Sequence, residues 1–452
     1  MIRITREIDP IVTAQPSPAV HGEGPVMTDD HYEKCLAAIA AEPALQGENV
    51  RLPESAGAGL RGGLAVLGVA CLALTALGAV VHSPAHALAS FEVGVFVLLA
   101  ICLGSLFFTM LFQAMNAYWP VTLRRQMEHA AGLIWLPLLG MLAVIVIELL
   151  SSVFTGHGVL FQWLDENPGY LLDHKDGYLN LGGLLVRFVI YGAIWLFLAR
   201  SILSMSLEQD ATGSREITRA IRRRASWGLL AFALSVAFAS FDFLMSLDYR
   251  FYSTMWGVYF FAGAAMSALA VTTITFSVLR LTGRLTGVVT DEHYHDLGKL
   301  LFAFGACFWA YIAFSQYFLI WYGNIPEETA FYLYRKQGGW EHLSMILVIG
   351  HFIIPFLILI SRKVKRNVLF AAVMAAYLLI FQVLDMIWII RPMAYVNAES
   401  PAGPGSWWID VVAAVGALAL FASFMMRSLV SAPLIPMKDP RLGRTLEHKN
   451  YV

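Results

Sequence analysis

The chain has 452 residues, 58% of them hydrophobic and only 14% charged, with a mean hydropathy of +0.64. Soluble domains carry about 25% charged residues, so the composition argues against a water-soluble enzyme and for a membrane protein. The formal net charge is −1, which suggests no nucleic-acid partner.

Residues 1–59 read as a soluble tail rich in Pro, Gly and acidic residues. Its first stretch, MIRITREIDPIVTAQPSP, is polar and without an apolar core, so it is not expected to be a cleavable secretory signal. Asp29 or Asp30 can cap a short helix to Ala41, with Leu36, Ile39 and Ala40 on one side. The rest of the tail is expected to be extended and held by partners, or disordered.

Ten continuous apolar stretches follow, at 60–81, 90–115, 130–154, 179–204, 226–247, 254–280, 297–322, 341–361, 366–390 and 406–430. Each is long enough to cross about 30 Å of hydrocarbon as a helix. Continuity, rather than alternation with period two, favours helices over a barrel. The expected organisation is a cytoplasmic tail at 1–59, a ten-helix transmembrane domain at 60–430 and a second cytoplasmic tail at 431–452. Connections after the even-numbered stretches carry 19 Lys and Arg, against 5 after the odd-numbered ones. Such a bias puts both termini of a multi-pass protein in the cytoplasm. The outer connections after stretches 3, 7 and 9 are long and rich in Tyr and Trp, which suits an interfacial belt and a docked partner. His129-Ala-Ala-Gly132 before stretch 3 and His295-Asp-Leu-Gly298 before stretch 7 are four helices apart, the spacing of a repeated four-helix unit.

Four ionisable residues sit inside different apolar stretches: Glu148, Arg187, Asp242 and Asp385. Each lies roughly 7–12 Å below the outer boundary at 1.5 Å per residue. Charges in hydrocarbon usually face a bundle interior or a polar pathway. Two readings stand: an Arg187–carboxylate pair that locks the bundle, or a proton-accepting cluster or quinol-headgroup site. Three carboxylates with one cation leave at least one without a charge partner, and a desolvated acid suits proton exchange. Asp248, Tyr249, Arg250 and Tyr252 fall in the short outer turn after stretch 5, and Ser246 is one turn from Asp242. Tyr311, Ser315 and Gln316 of stretch 7 could extend a polar path or simply bond across helices.

His351 is the one histidine near the middle of a stretch, and Pro355 four residues on removes the helical donor for its carbonyl. It reads as a relay or quinone contact, or as a histidine satisfied by a neighbouring helix. Haem b needs two facing axial histidines; His129, His293, His295 and His342 lie at stretch ends, so no intrinsic haem is expected. The four cysteines, Cys35, Cys71, Cys102 and Cys307, are scattered without a C-x-x-C pair, so neither a disulfide framework nor an iron–sulfur or zinc site is read. At the inner side, Thr272, Thr273, Thr275, Ser204, Ser206, Gln113, Asn116 and the run Asp291-Glu292-His293-Tyr294-His295-Asp296 form either the mouth of a half-channel or a solvated loop. No catalytic nucleophile, P-loop or metal motif is read.

Two segments carry a family resemblance: HDLGKLLFAFGACFWAYIAFSQYFLIWYGNIPEETAFYLYR, His295–Arg335, and SFDFLMSLDYRFYSTMWGVYFFAGA, Ser240–Ala264. They resemble the ActF family of membrane subunits of alternative complex III, a bacterial quinol:cytochrome c or high-potential-acceptor oxidoreductase. Ten spans, inside termini and a soluble N-terminal tail agree, over about 390 residues. The resemblance implies an all-α, NrfD/polysulfide-reductase-like fold of two four-helix bundles plus two further helices. It implies a subunit without haem or iron–sulfur of its own, with a proton path and a second site for menaquinone or ubiquinone among the roles proposed for it. The implied partners are a sister NrfD-like subunit, an iron–sulfur subunit and multihaem and monohaem cytochromes c, besides membrane lipid. Asp242, Asp248 and Tyr252 fall in a matching segment; Glu148, Arg187, His351 and Asp385 rest on the residues alone. A secondary transporter, with Pro137 and Pro355 in its helices, and a purely structural anchor are the competing readings.

Overall fold

The computed structural model describes residues 29–165, 174–395 and 405–450. The parts of the N-terminal tail and of the outer connections expected to be extended or partner-bound at 1–28, 166–173 and 396–404 lie outside the described residues. Among the described residues there is no strand, and ten helices are long and apolar enough to span a membrane. They are α1 (Ala58–Val81), α2 (Pro84–Ala114), α3 (Val121–Thr155), α4 (Leu181–Thr212), α5 (Arg215–Met245), α6 (Trp256–Leu281), α7 (Asp291–Gly323), α8 (Trp340–Leu359), α9 (Val368–Ala394) and α10 (Trp407–Val430). "Inner" and "outer" below denote the ends that the Lys/Arg bias assigns.

Local chemistry sets the ends. Ser83 accepts from His86 N–H at 3.1 Å and Pro84 takes the first position of α2. Asn180 accepts from Gly183 N–H at 2.7 Å to start α4. Gly156, at φ 74°, stops α3 in a conformation that costs glycine nothing. Several spans run further than their apolar cores. α2 begins at Pro84 rather than near 90, which places Glu92 two turns inside the helix instead of at its start. The polar run from Asp291 is not a loop but the first turns of α7. The expected tail helix forms over Asp29–Ala41.

The packing divides into two four-helix bundles. α2, α3, α4 and α5 form one ring of neighbours; α6, α7, α8 and α9 form the other. α2 and α6 are the seam between them, and α1 and α10 pair with each other, α10 lying against α2. At the seam a Cβ on Gly104 would fall 1.9 Å from the carbonyl oxygen of Ala264, so only glycine lets the two backbones approach this closely.

Three spans contain π-helical turns: Phe241–Met245 at the end of α5, Leu301–Phe308 in α7 and Leu347–Ile353 in α8. Wide turns of this kind re-aim side chains and are frequent at functional sites. Here they carry Asp242 and His351 and adjoin Trp309.

Candidate functional site

The four ionisable residues do not meet in one cluster. In the first bundle Asp242 Oδ2 accepts from Arg187 Nε at 2.9 Å and from the Tyr191 hydroxyl at 2.7 Å. Arg187 and Tyr191 are one turn apart on α4, so one helix face supplies both donors. The Tyr178 ring covers the guanidinium at 4.0 Å. Burial, then the Asp242 charge, pushes the Tyr178 phenol up from its ordinary value. Ser246 reaches the Asp242 main-chain carbonyl, at 2.5 Å, rather than its carboxylate.

Glu148 has a different environment. Its carboxylate accepts main-chain N–H bonds from Val159 and Leu160 at 2.8 Å each and from Phe161 at 3.4 Å. It fastens the outer connection that follows its own helix, and the three donors favour the charged form.

In the second bundle Asp385 is buried on α9, accepting from the Tyr259 hydroxyl at 2.6 Å and from Trp309 Nε1 at 3.1 Å. His351 stacks on the Trp309 ring with centroids 3.9 Å apart, and its Nε2 lies 3.1 Å from Met266 Sδ. A cavity of about 930 Å³ lies beside this group, between α7 and α8. Its inner wall includes Tyr259, Trp309, Tyr332, Arg335 and Trp388. Its mouth opens sideways past Tyr311, Phe314, Met345 and Val348, exposed on the face that meets lipid. Arg335 is buried and donates to the carbonyls of Phe331, Trp388 and Ile389 at 2.6–2.8 Å.

The remaining residues singled out from the sequence are dispersed. Asp248 is buried and pairs with Arg250 Nε at 3.0 Å. Tyr252 is half exposed at the outer surface. Gln316 accepts from Ser253 at 2.8 Å, joining α7 to the α5–α6 turn. Tyr311 points outward at the cavity mouth rather than along an internal path.

At the inner end, Thr272 and Thr273 are buried, and Thr273 bonds within its own helix. His293 caps α7 through Thr290. Asp296 binds Lys299 and, at 2.5 Å, His448 of the C-terminal tail. His448 stacks on Trp119, and His295 is only partly buried. The tail therefore covers Glu292, His293 and Asp296 of the run, while Asp291 stays exposed.

Buried groups that escaped the sequence reading include three toward the outer end. Glu92 on α2 has neither oxygen hydrogen-bonded among the described residues. Arg391 and Asp410 pair at 2.6 Å, tying α9 to α10, with Ser90 of α2 on the same carboxylate at 2.7 Å. Arg335 is the third. Glu92 stands as an acid in the run FEVGVFVLLA, inside stretch 90–115 near its outer end, and was passed over.

No protein-family model matches this chain, and no curated protein matches it.

Proposed function

We propose that the chain is an integral membrane subunit of a quinol:electron-acceptor oxidoreductase of the alternative complex III kind, in the bacterial cytoplasmic membrane with both termini inside. The observation that carries this reading is the lipid-facing cavity whose wall residues Tyr259 and Trp309 both bond to the buried Asp385. An aromatic, laterally open cavity suits a membrane-dissolved ring such as menaquinol or ubiquinol. The Tyr259 oxygen can accept from a quinol hydroxyl, and Asp385 behind it can hold a proton. The two electrons of the quinol would pass to haem and iron–sulfur centres held by partner subunits. Asp242 with Tyr191 repeats the carboxylate–tyrosine pairing in the first bundle, which supports a proton-handling role over a bare anchor.

Purification in mild detergent, with mass spectrometry of partners and a reduced-minus-oxidised spectrum, tests the reading. Multihaem cytochrome c and iron–sulfur subunits should co-purify without a b-type haem signal. Asp385→Asn should then abolish most quinol turnover while the complex stays assembled. A lone, colourless protein would overturn the reading in favour of solute transport, and an active Asp385→Asn complex would remove the relay.

A further inference from the structure

Glu92 is the buried acid that the proposed function leaves unused. It stands eight residues into α2, is 0% exposed, and neither carboxyl oxygen finds a hydrogen-bond partner among the described residues. α2 and α3 run antiparallel and touch where a Cβ on Gly140 would fall 2.4 Å from Val95 Cγ2. Glu92 lies one turn outward of Val95, toward the end of α3 that bears Glu148.

The two carboxyls have opposite surroundings. Glu148 has three N–H donors directed at its oxygens, the environment of an anion. Among the described residues neither Glu92 oxygen has a donor, and Glu148 lies on the facing helix. A bare carboxylate in an apolar interior is far costlier than its neutral acid, and a second anion adds repulsion. We infer that Glu92 and Glu148 form a proton-binding carboxyl pair in the outer half of the first bundle, in which Glu92 carries the proton and Glu148 the charge. The segment Gly158–Phe161 holds the pair in that state, because its main chain supplies the donors that keep Glu148 anionic. Gly158 matters to this grip: a Cβ there would fall 2.3 Å from the Phe161 oxygen and 3.0 Å from Glu148 Oε2. The pair is independent of the quinol reading, which places its chemistry at Tyr259 and Asp385.

Infrared spectroscopy of the purified protein at neutral pH tests the pair through the C=O stretch that only a protonated carboxyl gives. Labelling with 13C-glutamate should shift one such band in the wild type, which separates it from any aspartic acid. Glu92→Gln should remove that band and Glu148→Gln should keep it. Gly158→Ala, by displacing the segment, should add a second protonated-glutamate band. Absence of any label-sensitive protonated band would overturn the proposal without recourse to a variant. Loss of the band in Glu148→Gln with retention in Glu92→Gln would overturn the assignment of the proton, and an unchanged spectrum in Gly158→Ala would overturn the role of the segment.

Discussion

At the residue scale, each buried charge is handled by a different partner. Asp242 has a guanidinium and a phenol, Asp385 a phenol and an indole, Glu148 three main-chain amides. The Arg187–Asp242 pair is the one whose removal has a clear sign. Asp242→Asn leaves a guanidinium with 19% side-chain exposure and no carboxylate. Breaking a buried pair from one side costs about 3–5 kcal/mol, whereas apolar replacement of both partners can be neutral. Asp242→Asn should therefore lower the thermal midpoint in detergent markedly, and Arg187→Met with Asp242→Leu should recover most of the loss. Equal losses in the single and double variants would show that the pair is not what holds α4 to α5. The presence of Arg187 and Asp242 was legible because charges in long apolar runs stand out. An Arg187–carboxylate pair was one of the readings, but which carboxylate it takes was not legible, since that depends on which helices are neighbours. Glu148's partners left no trace in sequence at all, because they are main-chain groups of a connection.

At the element scale, close helix approach is bought with small residues, and the seam between α2 and α6 is the tightest case. A side chain on Gly104 must push α6 away, since the atom it meets is a backbone oxygen rather than a movable side chain. Overpacking of this kind costs about 1–3 kcal/mol. Gly104→Val should lower the thermal midpoint and open the bundle seam to protease. Gly62→Ala on α1 is the control, because a Cβ there meets nothing within 4 Å and it should be neutral. Indistinguishable melting of the two variants would refute the seam argument. The ten spans themselves were legible from unbroken hydropathy. Their π-helical turns were not: FDFLM and LFAFGACF hold no proline, and the widening follows from packing that a single segment does not reveal. The first turns of α7 were misjudged for a related reason, because DEHYHD is polar yet helical and is shielded in part by a tail from the far end of the chain.

At the scale of the whole molecule, the two bundles explain the H-x-x-G echo: His129 and His295 lie in the second helix of their respective bundles. The C-terminal tail then closes the inner end across both. Leu434 and Ile435 are fully buried, and Leu434 N–H bonds to the Val50 carbonyl at 2.8 Å. Asp439 is buried between Arg124, at 2.6 Å, and Arg441, at 2.7 Å, while Arg124 also holds Glu128. Burial alone would raise the Asp439 carboxyl, but Arg441 and Arg124 outweigh it and hold the group below its ordinary value. For a depressed carboxyl, the stability it contributes is fully present above the unfolded value of about 3.9 and is lost only as pH falls below that. The tail should thus stay docked at neutral and mildly acid pH and release only in strong acid. Asp439→Asn should release it at neutral pH, since two arginines lose their shared anion at a cost of about 3–5 kcal/mol. Limited trypsin digestion reads this out at Lys438 and Arg441: both should be protected in the wild type down to about pH 5 and cut readily in the variant. Equal protection in wild type and variant would mean that Leu434 and Ile435, rather than the ion lattice, seat the tail.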